Sequence, residues 1–437
     1  MHESILIKDV DIVLEDTIKK GDVFIEEGQI VAIEPNLPEH ADLVIDEQGL
    51  TLMPGVIDGH VHFREPGAEY KEGISSGSRA AAAGGVTSFL EMPNTNPATT
   101  TQELISQKKQ LAAEKSLVNY NFFIGATKDN LSEIQKVENV AGVKLFMGSS
   151  TGDLLVDNGA DLERLFSSCG KLIAVHAEDE QIIKSRQEEF RDSDNPLDHL
   201  FVRPDKAEIE AVERALILAN KYQTRVHFCH LTTEDACHLV NMYKEEDHIT
   251  AEVTPQHLLC SAPDIYERFG YLAKVNPPIR EQRHQKALCQ ALDLGVIDMI
   301  ATDHAPHMLN EKNGGLLKAM SGMPGIETSL PLMLNQVNLG KITINQLVNW
   351  MCHGPAQVFN IQNKGKIELG YDADLVLVNL KAKRRIENRR LYTKAGWSVF
   401  NGQELVGWPI ATFVNGQMVF REGDFFEGSM GRELQIG

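Results

Sequence analysis

Asp58-Gly59-His60-Val61-His62 closes an apolar run that begins at Thr51, and Phe63-Arg64-Glu65-Pro66-Gly67 follows it directly. Side chains of a strand alternate between its two faces, so residues two apart share a face. The run therefore delivers two imidazoles side by side at a strand end. Neutral imidazole is a common ligand for zinc and similar metals. An isolated pair of this kind fits a solvated strand surface equally well. The arginine two places beyond, in a Pro-Gly turn, sets a fixed cation beside the pair, which suits a substrate that carries a carboxylate.

Working outward from this stretch, residues 51–360 alternate β-branched apolar runs with helix-like segments. The candidate strands are 52–62, 86–91, 119–124, 140–147, 171–176, 225–230, 248–253 and 296–303, with helical patterns between them, as at 101–115 and 205–221. Strand–helix repetition implies a parallel sheet, and eight such units predict an α/β fold with a closed (β/α)8 TIM-like barrel. An open doubly wound sheet is the alternative. No G-x-x-x-x-G-K-[ST] loop is present, which argues against nucleotide binding.

The two ends read differently. Ile5-Leu6-Ile7, Val23-Phe24-Ile25 and Ile30-Val31-Ala32-Ile33 are strand-like, with Gly21-Asp22, Glu26-Glu27-Gly28 and Pro35 as turns. Near the C-terminus, Asp374 to Val378 is strand-like, and Asn415-Gly416 between apolar runs signals a hairpin. Residues 1–51 and 361–437 are expected to form one small composite β-rich domain beside a barrel over 52–360.

At 437 residues the chain can bury a large core, and 42% hydrophobic with 24% charged residues is ordinary for a folded soluble protein. A net charge of −20 argues against nucleic acid or an anionic membrane as partner. An anionic substrate then needs local positive charge. No apolar run reaches the length of a membrane span, and the N-terminus lacks signal-peptide features. Six cysteines without a Cys-x-x-Cys pair predict a reducing, cytoplasmic setting. Cys229 reads as a small buried residue pointing away from the face of His230.

In a barrel, active residues sit at the C-terminal ends of strands. Those ends carry His60 and His62, then Met92-Pro93-Asn94-Thr95, Lys144, His176 in Val175-His176-Ala177-Glu178, His230, and Asp303 in Ala301-Thr302-Asp303-His304-Ala305-Pro306-His307. One histidine at a strand end is ordinarily structural, and one lysine in an apolar run ordinarily snorkels to solvent. Five ends with metal-compatible side chains are a stronger signal.

These motifs resemble the amidohydrolase superfamily of metal-dependent barrel enzymes, and within it the dihydroorotase family. The resemblance implies that His60, His62 and Asp303 bind one metal, and His176 and His230 a second. It implies that Lys144, carboxylated by carbon dioxide, bridges the two. Some members bridge with an aspartate a few residues later, and Asp153 and Asp157 lie there. Lys144 is chosen because it sits within the strand. Zinc is the expected metal, two ions per subunit. Arg64, Asn94 and His307 are implied to hold a substrate carboxylate, and Asn276 the ring amide. Asp303 is implied to shuttle the proton as water opens the ring of (S)-dihydroorotate to N-carbamoyl-L-aspartate, or the reverse. Asp58 is read as a supporting residue, and His257 and His304 as structural. The resemblance also implies a homodimer.

Allantoinase or hydantoinase chemistry is the rival reading, and a non-catalytic barrel scaffold a further one. Substrates of those two enzymes lack the ring carboxylate, so Arg64 favours dihydroorotate. The stretch 308–325, with Gly314, Gly315, Gly322 and Gly325 and the charged Glu311 and Lys312, is expected to be a mobile loop over the site.

Overall fold

The apolar runs at the start of the chain pair into a ribbon: β1 (Ser4–Val13), β2 (Ile18–Glu26) and β3 (Gln29–Glu34) are antiparallel neighbours. β4 (Leu43–Asp46) and β5 (Thr51–Pro54) lie parallel to β1. This geometry comes from a computed structural model that describes residues 3–148, 154–244, 248–426 and 431–437.

At Gly55 the chain leaves this sheet for a second one. β6 (Val56–Val61), β7 (Val86–Glu91), β8 (Asn119–Gly125), β9 (Gly142–Phe146), β10 (Ile173–His176), β11 (Val226–Phe228), β12 (Ile249–Val253) and β13 (Met299–Ile300) are parallel and adjacent in chain order. The ring nearly closes: His62 N donates to His304 O at 2.8 Å, and Val61 bridges His304 just past β13. β14 (Leu375–Arg385), β15 (Glu404–Val414), β16 (Gln417–Arg421) and β17 (Asp424–Phe425) return to the first sheet, where β14 pairs with β5. The fold is thus an eight-stranded parallel barrel beside a β-rich sheet drawn from both chain ends.

Alternation sorts the barrel residues into layers. Ile57, Leu90, Phe123, Ala174 and Met299 cluster with Phe359 and Leu434 inside the strands. Their neighbours Phe89, Phe122, Val175 and Phe228 join the outer layer packed on the helices. The predicted helical stretches are Gln102–Lys115 and Asp205–Tyr222. The first starts where the Thr101 side chain accepts from Leu104 N at 3.3 Å, satisfying an otherwise orphaned amide. The last residues, 431–437, lie against the N-terminal end of the barrel, with Leu434 N donating to Tyr120 O. No helix among the described residues is long and apolar enough to cross a membrane.

Three local readings change. The run 52–62 is two strands in two sheets, divided at Gly55. Strand 296–303 shrinks to Met299–Ile300, and the chain kinks soon after, where Asp303 takes φ +46°. Gly21-Asp22 lies inside β2; the Asp22 carboxylate accepts from Asp9 N and Leu37 N, so it ties a neighbouring bulge and loop rather than making a turn. Asn415-Gly416 does form the hairpin between β15 and β16, both residues at positive φ.

Gly55 is a steric necessity. A Cβ there would sit 2.1 Å from Oγ1 and 2.4 Å from Cγ2 of Thr87 on β7. Gly55→Ala is expected to cost about 1–3 kcal/mol of folding stability by overpacking, read from urea denaturation. An unshifted midpoint would show that β7 yields at no cost.

Candidate active site

A cavity of about 250 Å³ opens at the C-terminal ends of the barrel strands. His60, His62, Arg64, Asn94, Lys144, His176, His230, Asn276, Asp303 and His307 all line it. Every site residue selected from the sequence is therefore brought to one place.

The β6 end behaves as alternation requires: the His60 and His62 rings are 5.3 Å apart between centroids, and both face Asp303. Asp303 Oδ1 lies 3.0 Å from His62 Nε2 and 3.4 Å from His60 Nε2. His176 Nδ1 and His230 Nε2 are 3.1 Å apart at the ends of β10 and β11. Lys144, fully buried on β9, places Nζ 2.9 Å from Cys229 Sγ. Asp157 does not line the cavity, and Asp153 lies outside the described residues.

The histidines are aimed by groups behind them. Glu252 on β12 is completely buried, and Oε1 lies 2.5 Å from His60 Nδ1 while Oε2 lies 3.0 Å from His227 Nε2. A carboxylate accepts, so Nδ1 of His60 carries the proton and Nε2 is left to face the cavity. Asn94 Oδ1, 2.6 Å from His62 Nδ1, does the same for His62. Glu178, itself paired with Arg203, lies 2.8 Å from His176 Nε2. Asp58 accepts from Thr302 Oγ1 at 2.6 Å and from Thr302 N at 3.1 Å, and so braces the residue before Asp303. Burial lifts the Asp58 carboxyl to about 6 despite these bonds.

The electrostatics are those of a site made for a cation. Burial and Lys144 oppose a charge on His60, but Glu252 and Asp303 outweigh them and hold it up at about 10. Burial pushes His62 down to about 3 and His230 well below the usual imidazole range. Asp303 is held far below the carboxylate range: burial opposes its charge, but His60, His62 and His230 prevail. Ligand atoms of His60, His230 and Asp303 all lie within 4.8 Å of one another. His230 Nδ1 is buried without a hydrogen-bond partner. Converging imidazole nitrogens and a carboxylate fit a divalent metal.

Beside this centre lies a cationic wall. Arg64 is 9% exposed; Nε donates to Pro306 O at 3.2 Å, and Nη2 lies 3.2 Å from His307 Nε2. Burial lowers the guanidinium to about 10, which still leaves it charged at neutral pH. His307 Nδ1 accepts from Lys71 Nζ at 3.1 Å, so its proton sits on Nε2, 3.1 Å from Ser321 O. Burial, with Arg64, Lys71 and Lys312 nearby, keeps that ring neutral. Asn276 Oδ1 is buried in the wall without a partner.

Three site residues hold positive φ: Arg64 at +61°, His230 at +35° and Asp303 at +46°. Side chains other than glycine rarely adopt such angles, and they cluster at functional positions. The His230 angle also corrects the expectation for Cys229. β11 ends at Phe228, so strand alternation no longer applies, and Cys229 Sγ turns inward onto Lys144, beside His60 and Glu252. The sequence reading gives the seventh strand no role, and so misses Glu252; its one signal is a carboxylate inside the run Ile249–Val253. His257 and His304 are structural as expected, His257 between Thr254 Oγ1 and Pro277 O, His304 accepting from Gly325 N.

The sequence matches the amidohydrolase family over residues 51–419. A dihydroorotase of Methanosarcina acetivorans is 37% identical, across 97% of this chain and 95% of that protein. An L-hydantoinase of Paenarthrobacter aurescens is 32% identical, across 96% of this chain and 95% of its own length. The solved structure of L-hydantoinase (dihydropyrimidinase) from Arthrobacter aurescens superposes with a TM-score of 0.95 at 30% identity, covering both chains completely.

Replacing Glu252 by Gln keeps an acceptor for His60 but removes the charge that fixes its proton. Metal retention is expected to weaken by about 10–100-fold. Metal content after dialysis against graded chelator measures it, and wild-type retention would reduce Glu252 to a packing residue.

Proposed function

The chain belongs to the amidohydrolase family as a hydrolase of cyclic amides, and we propose that its reaction is the reversible conversion of (S)-dihydroorotate to N-carbamoyl-L-aspartate. One observation carries this choice: a buried, charged guanidinium, Arg64, stands beside the centre formed by His60, His62 and Asp303. A buried cation needs an anion, and a ring carboxylate supplies one. Hydantoin offers none. The likeness to solved hydantoinases supports ring opening of a cyclic amide in either case.

The family generally uses a divalent metal, and His60, His62, His176, His230 and Asp303 are the residues that would hold it. We take it to be zinc, two ions per subunit, with carboxylated Lys144 between them. When bound, the metal supplies a water of lowered pKa and a Lewis acid for the amide carbonyl.

The chain's own residues do the rest. Arg64 grips the ring carboxylate, with His307 against it, and so fixes which carbonyl faces the centre. Asn276 Oδ1 accepts the ring N–H. Asp303, held ionised, takes the proton from the attacking water and passes it to the departing ring nitrogen as the C–N bond breaks. In the closing direction the same carboxylate removes a proton from the ureido nitrogen as the ring forms and water leaves.

Turnover of dihydroorotate, allantoin and hydantoin on the metal-loaded protein tests the reading. Dihydroorotate is expected to lead, and Arg64→Met to lose it by a factor equivalent to about 2–5 kcal/mol while other cyclic amides change less. Hydantoin in the lead would overturn the assignment. Lys144→Ala is expected to retain one metal rather than two and to lack the carbamate carbon signal that wild type is expected to give after exchange with 13C-bicarbonate. Two retained metals without that carbon would move the bridge to another residue.

A further inference from the structure

Residues 308–325 follow His307 and come back over the cavity, where the stretch from Leu316 to Gly322 forms one wall. In sequence this is a polar, glycine-rich loop. The structure shows it gripped from beneath. Lys312 is 0% exposed, and its Nζ donates to the carbonyls of Lys274, Met320 and Gly322 at 2.8, 2.8 and 2.7 Å. Lys274 is buried beside it, and its Nζ donates to the carbonyls of Leu316 and Ala319 at 2.6 and 2.5 Å. Two side-chain nitrogens thus gather five backbone oxygens.

Among the described residues neither lysine has a carboxylate within ion-pair distance, so the carbonyls are what compensate the buried charge. An ammonium has three N–H donors and no acceptor, and three oxygens surround Lys312 Nζ. A neutral amine would point a lone pair at one of them. Burial pushes the Lys312 amine well below its ordinary range and Lys274 to about 8; the three acceptors around Lys312 argue for the charged form there.

The two grips interlock. Lys312 holds the carbonyl of Lys274, and Gly322 N donates to the same carbonyl at 2.9 Å. The wall is thereby tied to the segment that carries Asn276. From the wall, Ser321 O meets His307 Nε2 at 3.1 Å, and that ring borders Arg64.

We propose that Lys274 and Lys312 are positioning residues: a two-ammonium clamp that fixes residues 316–322 as the substrate-facing wall and, through Ser321 and His307, sets the place of the Arg64 guanidinium. Neither touches the reacting atoms. The clamp acts on substrate affinity, above all for a carboxylated ring; the identity of that ring rests on the dihydroorotate reading, and the clamp does not. It also revises the loop's character, since its cavity-facing half is anchored and freedom is left to the tip around Asn313–Gly315.

Lys274→Met and Lys312→Met keep the stem and remove the donors. Measured on the full-length, metal-loaded enzyme, each is expected to raise KM by about tenfold or more, with a smaller fall in kcat and unchanged metal content. Amide hydrogen exchange of residues 313–322 is expected to accelerate by a similar factor. A merely structural lysine would lower the melting temperature and leave KM of the folded enzyme alone. Unchanged exchange and KM, or a loss confined to kcat, would overturn the proposal. Should Lys312→Met not fold, Lys274→Gln, with fewer carbonyls to leave unsatisfied, carries the same measurements. Should wild type fail on dihydroorotate, that reading falls by itself; exchange, and KM for whichever cyclic amide is hydrolysed, still decide the clamp.

Discussion

Glu252 is the group on which the rest of the site depends. A carboxylate with no solvent exposure is costly unless it is fully bonded. This one is satisfied by His60, by His227 and by the backbone N–H of His230 at 3.2 Å. Each bond has a consequence at the cavity. The first fixes the proton of His60 on Nδ1 and turns Nε2 outward. The third holds His230 at its strained φ, where its ring closes on the ring of His60, 5.3 Å away. A negative charge is thus sunk below the mouth, with Asp303 above it and imidazoles between. A proton on His60 answers that field in part; a divalent ion answers it better, because it also uses the nitrogens that burial forbids to protonate.

The charge distribution of the whole molecule sharpens the contrast. At −20 the protein repels anions at long range. Around the cavity the sign reverses: Arg64 and Lys274 line it, and Lys71 and Lys312 lie behind them. None of these cations is spent on an exposed salt bridge of the kind worth little. Lys71 pairs with a half-buried Glu311 at 2.9 Å, and the two clamp lysines are spent on backbone carbonyls. Arg64 lines the cavity beside His60, His62 and Asp303. Positive charge is thus concentrated at short range, inside a medium where charge pairing is stronger than in water.

Much of this was legible in the sequence, and the limits have physical causes. The barrel could be read because each of its strands is an apolar run bounded by turns, and the residues of the cavity because they stand at the ends of those runs. Glu252 escaped because a lone glutamate in a strand reads as a solvent-facing residue; only its contacts with two distant histidines reveal it. Cys229 was turned the wrong way because alternation was carried past Phe228, beyond the last residue that pairs as a strand. The burial of Lys312 left no trace in the sequence because its partners are carbonyl oxygens, which every residue has and no pattern displays. The resemblance to dihydroorotases added the metal assignments and the substrate, which spacing alone did not reach.

Strain and anchoring are two sides of one requirement. Arg64, His230 and Asp303 at positive φ each cost on the order of 1–3 kcal/mol, and such angles persist only where the surroundings over-determine them. Asp58 and Thr302 supply that for Asp303, Glu252 for His230, and Pro306 O for Arg64. The anchors come from β6, from β12 and from the segment that follows β13, so no single element sets the geometry. The proposed reaction, with a ring carboxylate held on one side and a carbonyl on the other, needs both ends fixed to a fraction of an ångström. A cavity lined by free loops would lose that precision to thermal motion. Tying the wall by its backbone oxygens leaves its side chains, such as Leu317 and Lys318, open to sequence change while the position of Arg64 is kept.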